Sequence, residues 1–151
     1  MSQDFRTRIG NQVFGVRASG LIIKDDQIYL YKDDQDGYYV VGGAVAVGET
    51  TEEAVKREIL EEIGLEVQIE KLAFIVENQF CQGDVNFHNI EFHYRVTPLS
   101  LPNQTLMEDG KTMACEWVKL DKVDKIDIRP AFLKTALKNW NGQVTHIINK
   151  G

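Results

Sequence analysis

The segment from Thr50 to Gly64 constrains this chain more than any other. Val55, Ile59 and Ile63 recur at four-residue steps, the period of an amphipathic helix with one buried stripe. Thr50, followed three residues later by Glu53, forms a capping box, and Gly64 supplies a left-handed stop. Once that stripe is buried, the rest of the helix has no freedom of position. Glu58, Glu61 and Glu62 then fall within an arc of roughly 100°, because residues three and four apart share a face. The arc adjoins the apolar stripe, so the carboxylates are partly desolvated. At about 6 Å and an effective dielectric of about 20, each like-charged pair costs about 3 kcal/mol. Something must neutralise them.

Arg57 is the one cation well placed, four residues from Glu61 and on the edge of the same arc. One guanidinium cannot balance three carboxylates, and its planar fork suits it to fixing one of them in orientation. A divalent metal fits the remainder. Hard oxygen ligands without nearby His or Cys select Mg²⁺ or Mn²⁺ over zinc, and Mg²⁺ shares its coordination with waters and substrate phosphate oxygens. The chemistry implied is hydrolysis at phosphorus. Ahead of the helix, Gly42-Gly43 allows close backbone approach and can free a carbonyl for the metal. Glu49 adds a fourth carboxylate before the helix; a dipole partner at the N-terminus is the plainer role for such a residue.

The remainder of the chain bounds the setting. At 151 residues, with 43% hydrophobic and 26% charged residues, it is sized for one domain over residues 1–151 and lies in the globular range. Net charge is −6, and the stretch Glu49 to Glu66 alone carries seven Glu against Lys56 and Arg57. That balance argues against a surface that coats nucleic acid. No apolar run approaches a membrane span, and Met1 to Gly10 has no apolar signal core, so a cytoplasmic location is expected. Cys81 and Cys115 are then expected as reduced thiols.

Strands are expected at Val13–Ala18 and Leu21–Ile23, then Ile28–Tyr31 after a turn at Asp25-Asp26, and at Tyr38–Val41. Beyond the helix, Leu65 to Gln79 is β-rich. Val85 to Val96 alternates, with Ile90, Phe92, Tyr94 and Val96 as the better-buried set. Ser100 to Lys111 reads as a loop, Met113 to Leu120 as a strand, Arg129 to Trp140 as a second amphipathic helix, and Val144 to Ile148 as a last strand. Strands on both sides of one central helix, with another helix near the end, describe a layered α/β domain.

Gly43, five residues, Glu49, seven residues, and Arg57-Glu58-Ile59-Leu60-Glu61-Glu62-Ile63-Gly64-Leu65 resemble the complete box of the Nudix family. Such a match recurs by chance in a chain of this length less than about once in a million. The resemblance implies a Nudix-like α/β/α sandwich with a mixed central sheet. It implies hydrolysis of a nucleoside diphosphate linked to another group, by a metal-activated water. Glu58, Glu61 and Glu62 would be metal-binding carboxylates, Gly43 would offer its carbonyl, Arg57 would orient the glutamates, and Glu49 would support the metal cluster or Arg57. The partners implied are a small-molecule nucleotide and a second copy in a homodimer. Two positions depart from many members, Val41 in place of proline and Ala46 in place of an acid.

Other roles stay open at this level. Glu108, Asp109 and Glu116 are candidates for the general base, Phe80, Phe87, Tyr94 and Trp117 for base stacking, and Arg17, Lys24, Arg95 and Arg129 for phosphate contact. No site role is expected for His88 or His93. Cys81 and Gln82 stand where the resemblance would place proline in ADP-ribose hydrolases or tyrosine in dinucleoside polyphosphate hydrolases. That leaves a nucleoside triphosphate or nucleotide sugar ahead. A nucleotide sensor without turnover is the alternative of another class. An isomerase using Cys81 or Cys115 is a third.

Overall fold

The computed structural model describes residues 3–108 and 110–151. Strand β1 (Arg6–Ile9) turns into β2 (Gln12–Lys24), a single long strand where two short ones were expected. A Cβ on Gly20 would stand 2.5 Å from Ile59 Cδ1, so the glycine lets the helix lie close over the strand. Asp25 and Asp26, at φ 51° and 62°, make the turn into β3 (Gln27–Lys32). The run at Tyr38–Val41 is two strands, β4 (Gly37–Tyr39) and β5 (Val41–Ala44). Helix α1 (Thr51–Ile63) follows, with both halves of the Thr50–Glu53 capping box formed and Gly64 at φ 63° closing it.

A long hairpin of β6 (Val67–Gln82) and β7 (Val85–Pro98) comes next. The expected loop from Ser100 to Lys111 contains a strand, β8 (Thr105–Glu108), which pairs with β9 (Lys111–Lys119). Its Leu106 is fully buried, so the segment is held by core packing that its polar composition conceals. A 3₁₀ turn (Leu120–Lys125) leads to β10 (Asp127–Arg129), then α2 (Leu133–Asn139) and β11 (Thr145–Lys150). Helix α2 is shorter than the expected span from Arg129 to Trp140. Pro130 disfavours a helical conformation in the residue before it and has no N–H to donate, and Arg129 instead extends beside β4.

The strands run in the order β10-β4-β3-β2-β7-β6-β11, with β1 and β5 also on β2 and β9 on β3. Parallel pairing of β2 with β7, β4 with β10 and β6 with β11 makes the sheet mixed. Helix α1 buries Val55, Ile59 and Ile63 against Ala18, Ile22, Tyr94 and Val96 on one face. On the other, Leu133, Leu137 and Trp140 cover Leu21, Phe74 and Val76. This is the expected α/β/α sandwich with a mixed sheet. No helix among the described residues is long and apolar enough to cross a membrane.

Coverage of both faces corrects one expectation for β7. Asn89, Glu91 and His93, the polar set of the alternation, are buried, whereas Ile90 and Phe92 are only half-buried. Glu91 Oε2 accepts from Asn78 Nδ2 at 2.9 Å, and Asn149 Nδ2 donates to Asn78 Oδ1 at 2.8 Å, so the buried Glu91 carboxylate is tied to β6 and, through Asn78, to β11.

Gly42 has no room for a side chain on the sheet: a Cβ would meet Ala18 O at 2.4 Å and Ser19 Cα at 2.7 Å. Both are backbone atoms of the partner strand and cannot rotate away. Gly42→Ala should therefore push β5 off β2 and destabilise the protein by about 1–3 kcal/mol, the usual range for overpacking; chemical denaturation with an unchanged m-value checks this.

Candidate active site

Strand β5 and the loop after it bring Gly43, Ala44, Ala46 and Glu49 against the face of α1 that carries the acids. Arg57 is the joint between them. Its Nε and Nη2 donate to the two oxygens of Glu49 at 2.6 and 2.9 Å, a bidentate fork. Nη2 also reaches Ala44 O at 3.2 Å, and Nη1 donates to Glu58 Oε1 at 3.0 Å and Glu61 Oε2 at 3.3 Å. Glu49 Oε1 additionally accepts from the Ala46 N–H at 3.0 Å. Hydrogen bonding to Arg57 holds the Glu49 carboxyl below the usual carboxylate range, and Glu49 holds the guanidinium above its own ordinary value.

Glu58 is the more enclosed of the two helix acids that Arg57 contacts. Its side chain is 14% exposed against 60% for Glu61. A Cβ on Gly43 would lie 2.5 Å from the Glu58 carboxyl carbon, so the carboxylate is packed directly on the Gly43 Cα. The second glycine of the pair is thus a seat for an acid. Glu62 lies near enough to Cys115 of β9 for its charge to act on the thiol.

Of the residues expected at the site, Gly43, Glu49, Arg57, Glu58 and Glu61 meet through these contacts, and Glu62 sits on the next turn of the same face. Both oxygens of Glu49 are engaged by Arg57 and the Ala46 N–H, which is the second of the two roles expected for it. As they stand, no three His, Cys, Asp or Glu side chains among the described residues enclose a metal position. The donor chemistry nonetheless suits a hard divalent cation: the acids on this face offer only oxygen, and Glu61 is exposed enough to turn inward.

Several other candidates fall elsewhere. Glu116 pairs in register with Leu30, whose side chain is in the core on the α2 side, and it accepts a hydrogen bond from Tyr38 there. Asp109 lies outside the described residues, as does the side chain of Glu108. Phe80 and Phe87 stack on each other near the tip of the β6–β7 hairpin, with centroids 5.0 Å apart. Tyr94 is core, its hydroxyl paired with Thr51 Oγ1 at 2.7 Å, and Trp117 packs on Tyr29. Burial pushes the Cys115 thiol up to about 11, which leaves it protonated at neutral pH and unsuited to nucleophilic work.

Two arrangements escaped sequence reading. Asn103 closes the C-terminal end of α1, its N–H donating to Ile63 O at 3.2 Å while its own carbonyl accepts from Tyr29 at 2.6 Å. His93 is fully buried, with Nε2 3.0 Å from Glu91 Oε1 and Nδ1 without a partner among the described residues. Burial raises the Glu91 carboxyl, but His93, Asn78 and Arg17 outweigh it and hold it below its ordinary value. A carboxylate only accepts, so Nε2 carries the proton. The alternation of polar and apolar residues gave no sign that this set would be covered.

A sandwich of this topology, with an arginine fork binding a glycine loop to an acid-lined helix, defines a class of phosphoanhydride hydrolases. A family model described as NUDIX domain matches residues 13–139, and the chain belongs to that family; it is a Nudix hydrolase. Comparison with curated protein sequences finds no match. Among solved structures it is similar to a MutT protein from Bacillus halodurans, with TM-score 0.72, 23% identity, and coverage of 87% of this chain and 86% of that one. It is similar to a MutT NUDIX hydrolase from Burkholderia pseudomallei, with TM-score 0.62, 23% identity and coverage of 83% and 96%. An ADP-ribose pyrophosphatase from Streptococcus suis gives TM-score 0.62, 16% identity and coverage of 89% and 98%.

The depressed Glu49 carboxyl has a direction in pH. Its contribution to stability is complete above the ordinary carboxylate range and is lost as the pH falls through its lower folded value. Melting temperature between pH 7 and 3 should therefore fall more steeply in the native protein than in Glu49→Gln. Gly43→Ala should act differently, because the atom it meets is the far end of a side chain. We expect a melting temperature within a few degrees of the native protein's and a rate of phosphoanhydride hydrolysis lowered at least about tenfold, since 1.4 kcal/mol of lost transition-state stabilisation suffices. Colorimetric phosphate release checks it.

Proposed function

We propose that this hydrolase cleaves the phosphoanhydride of a nucleoside diphosphate derivative with Mg²⁺ or Mn²⁺, a nucleoside triphosphate or nucleotide sugar being the favoured substrate. The observation that carries the reading is the seat of Glu58 on Gly43, held there by Arg57. It fixes one carboxylate beside the strand edge where a backbone carbonyl is also available. Glu58, Glu61, Glu62 and the Gly43 carbonyl would hold the cation, which when bound supplies charge for the phosphate oxygens and lowers the pKa of a water.

The chain's own residues do the rest. Glu49 keeps Arg57 flat and aimed, and Arg57 in turn keeps Glu58 and Glu61 from separating under their mutual repulsion. The Glu49–Arg57–Glu58 part of this arrangement is in place before substrate arrives, and the exposed Glu61 would turn inward to complete it. Glu62, half-buried on the next turn of the same α1 face, would take the proton of the attacking water on a carboxylate oxygen that the cation does not bind. MutT proteins and an ADP-ribose pyrophosphatase among the structural neighbours act as support for the substrate class and do not choose within it.

Glu61→Gln and Glu62→Gln keep shape while removing charge. Each should lower kcat at least about a hundredfold, or 2.7 kcal/mol, with the circular dichroism unchanged. A panel of nucleoside triphosphates, nucleotide sugars, dinucleotides and ADP-ribose with product identification reads this out; full Mg²⁺-dependent rates in both variants would sink the assignment.

A further inference from the structure

Strands β10, β4, β3 and β9 lie side by side, and their register lines up Arg129, Tyr39, Tyr31 and Cys115. Residues directly opposite one another share a face of the sheet. Tyr31 and Cys115 pack against the core under α1, so this row lies on the same side as the box acids. It begins at Cys115, beside Glu62, and runs outward for three strand spacings, about 14 Å. That is room for a sugar and a base beyond a diphosphate held at the acids.

The far end of the row is built, not incidental. The rings of Tyr31 and Tyr39 stack with centroids 5.1 Å apart and 17° between planes. The Tyr39 hydroxyl donates to Asp33 Oδ2 at 2.7 Å and accepts from Arg129 Nη1 at 3.1 Å. Asp33 is itself fixed by the N–H groups of Gln35 and Gly37 at 2.9 and 2.8 Å. Arg129 lies over the Tyr39 ring, 5.8 Å from its centroid, with Nη2 and Nε on the Asp127 carboxylate at 2.8 and 3.5 Å. Its side chain remains 49% exposed. An exposed ion pair contributes little to stability, so this network gives the fold little reason to hold the guanidinium in one plane.

A phosphate clamp is the role the chemistry disfavours. Three of the five N–H donors of Arg129 are engaged by Asp127 and Tyr39, and Asp33 with Asp127 leaves the cluster net negative. A guanidinium held in plane by Asp127 and by the Tyr39 hydroxyl instead offers a π-face to a planar, uncharged group, and every nucleobase has such a face. We propose that Arg129, held against Tyr39 and backed by Tyr31, is the nucleobase platform of this enzyme and the residue that sets its preference for a nucleotide over a base-free diphosphate. The inference rests on the hydrolase reading above, which places the diphosphate at the acids of α1.

The test compares kcat/KM for ATP, GTP, CTP and UTP with that for ribose 5-triphosphate, in the presence of Mg²⁺. The native protein should prefer its best nucleotide, and Arg129→Ala and Tyr39→Ala should each lower the ratio of nucleotide to base-free rate at least tenfold, chiefly through KM. Arg129→Lys keeps the charge and loses the plane, and should behave as Arg129→Ala. An unchanged ratio in Arg129→Ala overturns the platform, and because Arg129 is exposed that variant alone carries the test if Tyr39→Ala does not fold. If the native protein hydrolyses none of these compounds, the triphosphatase reading fails. Equilibrium dialysis of ADP, GDP, CDP and UDP against ribose 5-diphosphate then decides the platform separately. Tighter nucleotide binding that is lost at least tenfold in Arg129→Ala supports it, and equal binding of both compounds by the native protein overturns it.

Discussion

The guanidinium of Arg57 is the constraint on which the site depends. It binds both oxygens of Glu49, the Ala44 carbonyl, Glu58 and Glu61, so a loop, a strand end and two turns of a helix are tied to one rigid plane. Lysine could supply the charge but not the geometry, because a single ammonium cannot present donors in a flat fork to groups on opposite sides. The acids repel one another, and without this joint the helix and loop would have no reason to keep their present spacing.

That joint works because the backbone beneath it approaches closely. Glycine at position 42 admits β5 to β2, glycine at position 43 admits the Glu58 carboxylate, and glycine at position 20 admits Ile59. Side-chain volume at Gly42 would push β5 off β2, at Gly20 it would press on Ile59, and at Gly43 it would displace the Glu58 carboxylate. Packing and electrostatics are therefore not independent here: the core of Val55, Ile59 and Ile63 sets the height at which the carboxylates meet the strand edge.

Legibility in the sequence varied with the range of the interactions. Helix α1, its capping box and its glycine stop were readable because every determinant lies within a few residues. The strand at Thr105–Glu108 and the short extent of α2 were not, since the first is held by burial of Leu106 and the second is displaced by pairing of Arg129 with Tyr39. The buried Glu91–His93 pair looked like a solvated strand face. Polar alternation cannot reveal that α2 covers the second side of the sheet or that β11 extends it beside β6.

The local sequence by itself determined that three acids and an arginine would share one arc in the second half of a capped helix, because helical periodicity and cap chemistry act over a turn or two. Tertiary structure alone decided which partner Glu49 takes, where Glu116 points, and that Arg129, Tyr39 and Tyr31 form a row leading away from Glu62. Those outcomes depend on strand register between segments as much as ninety residues apart, and register is set by the competition of whole faces for burial.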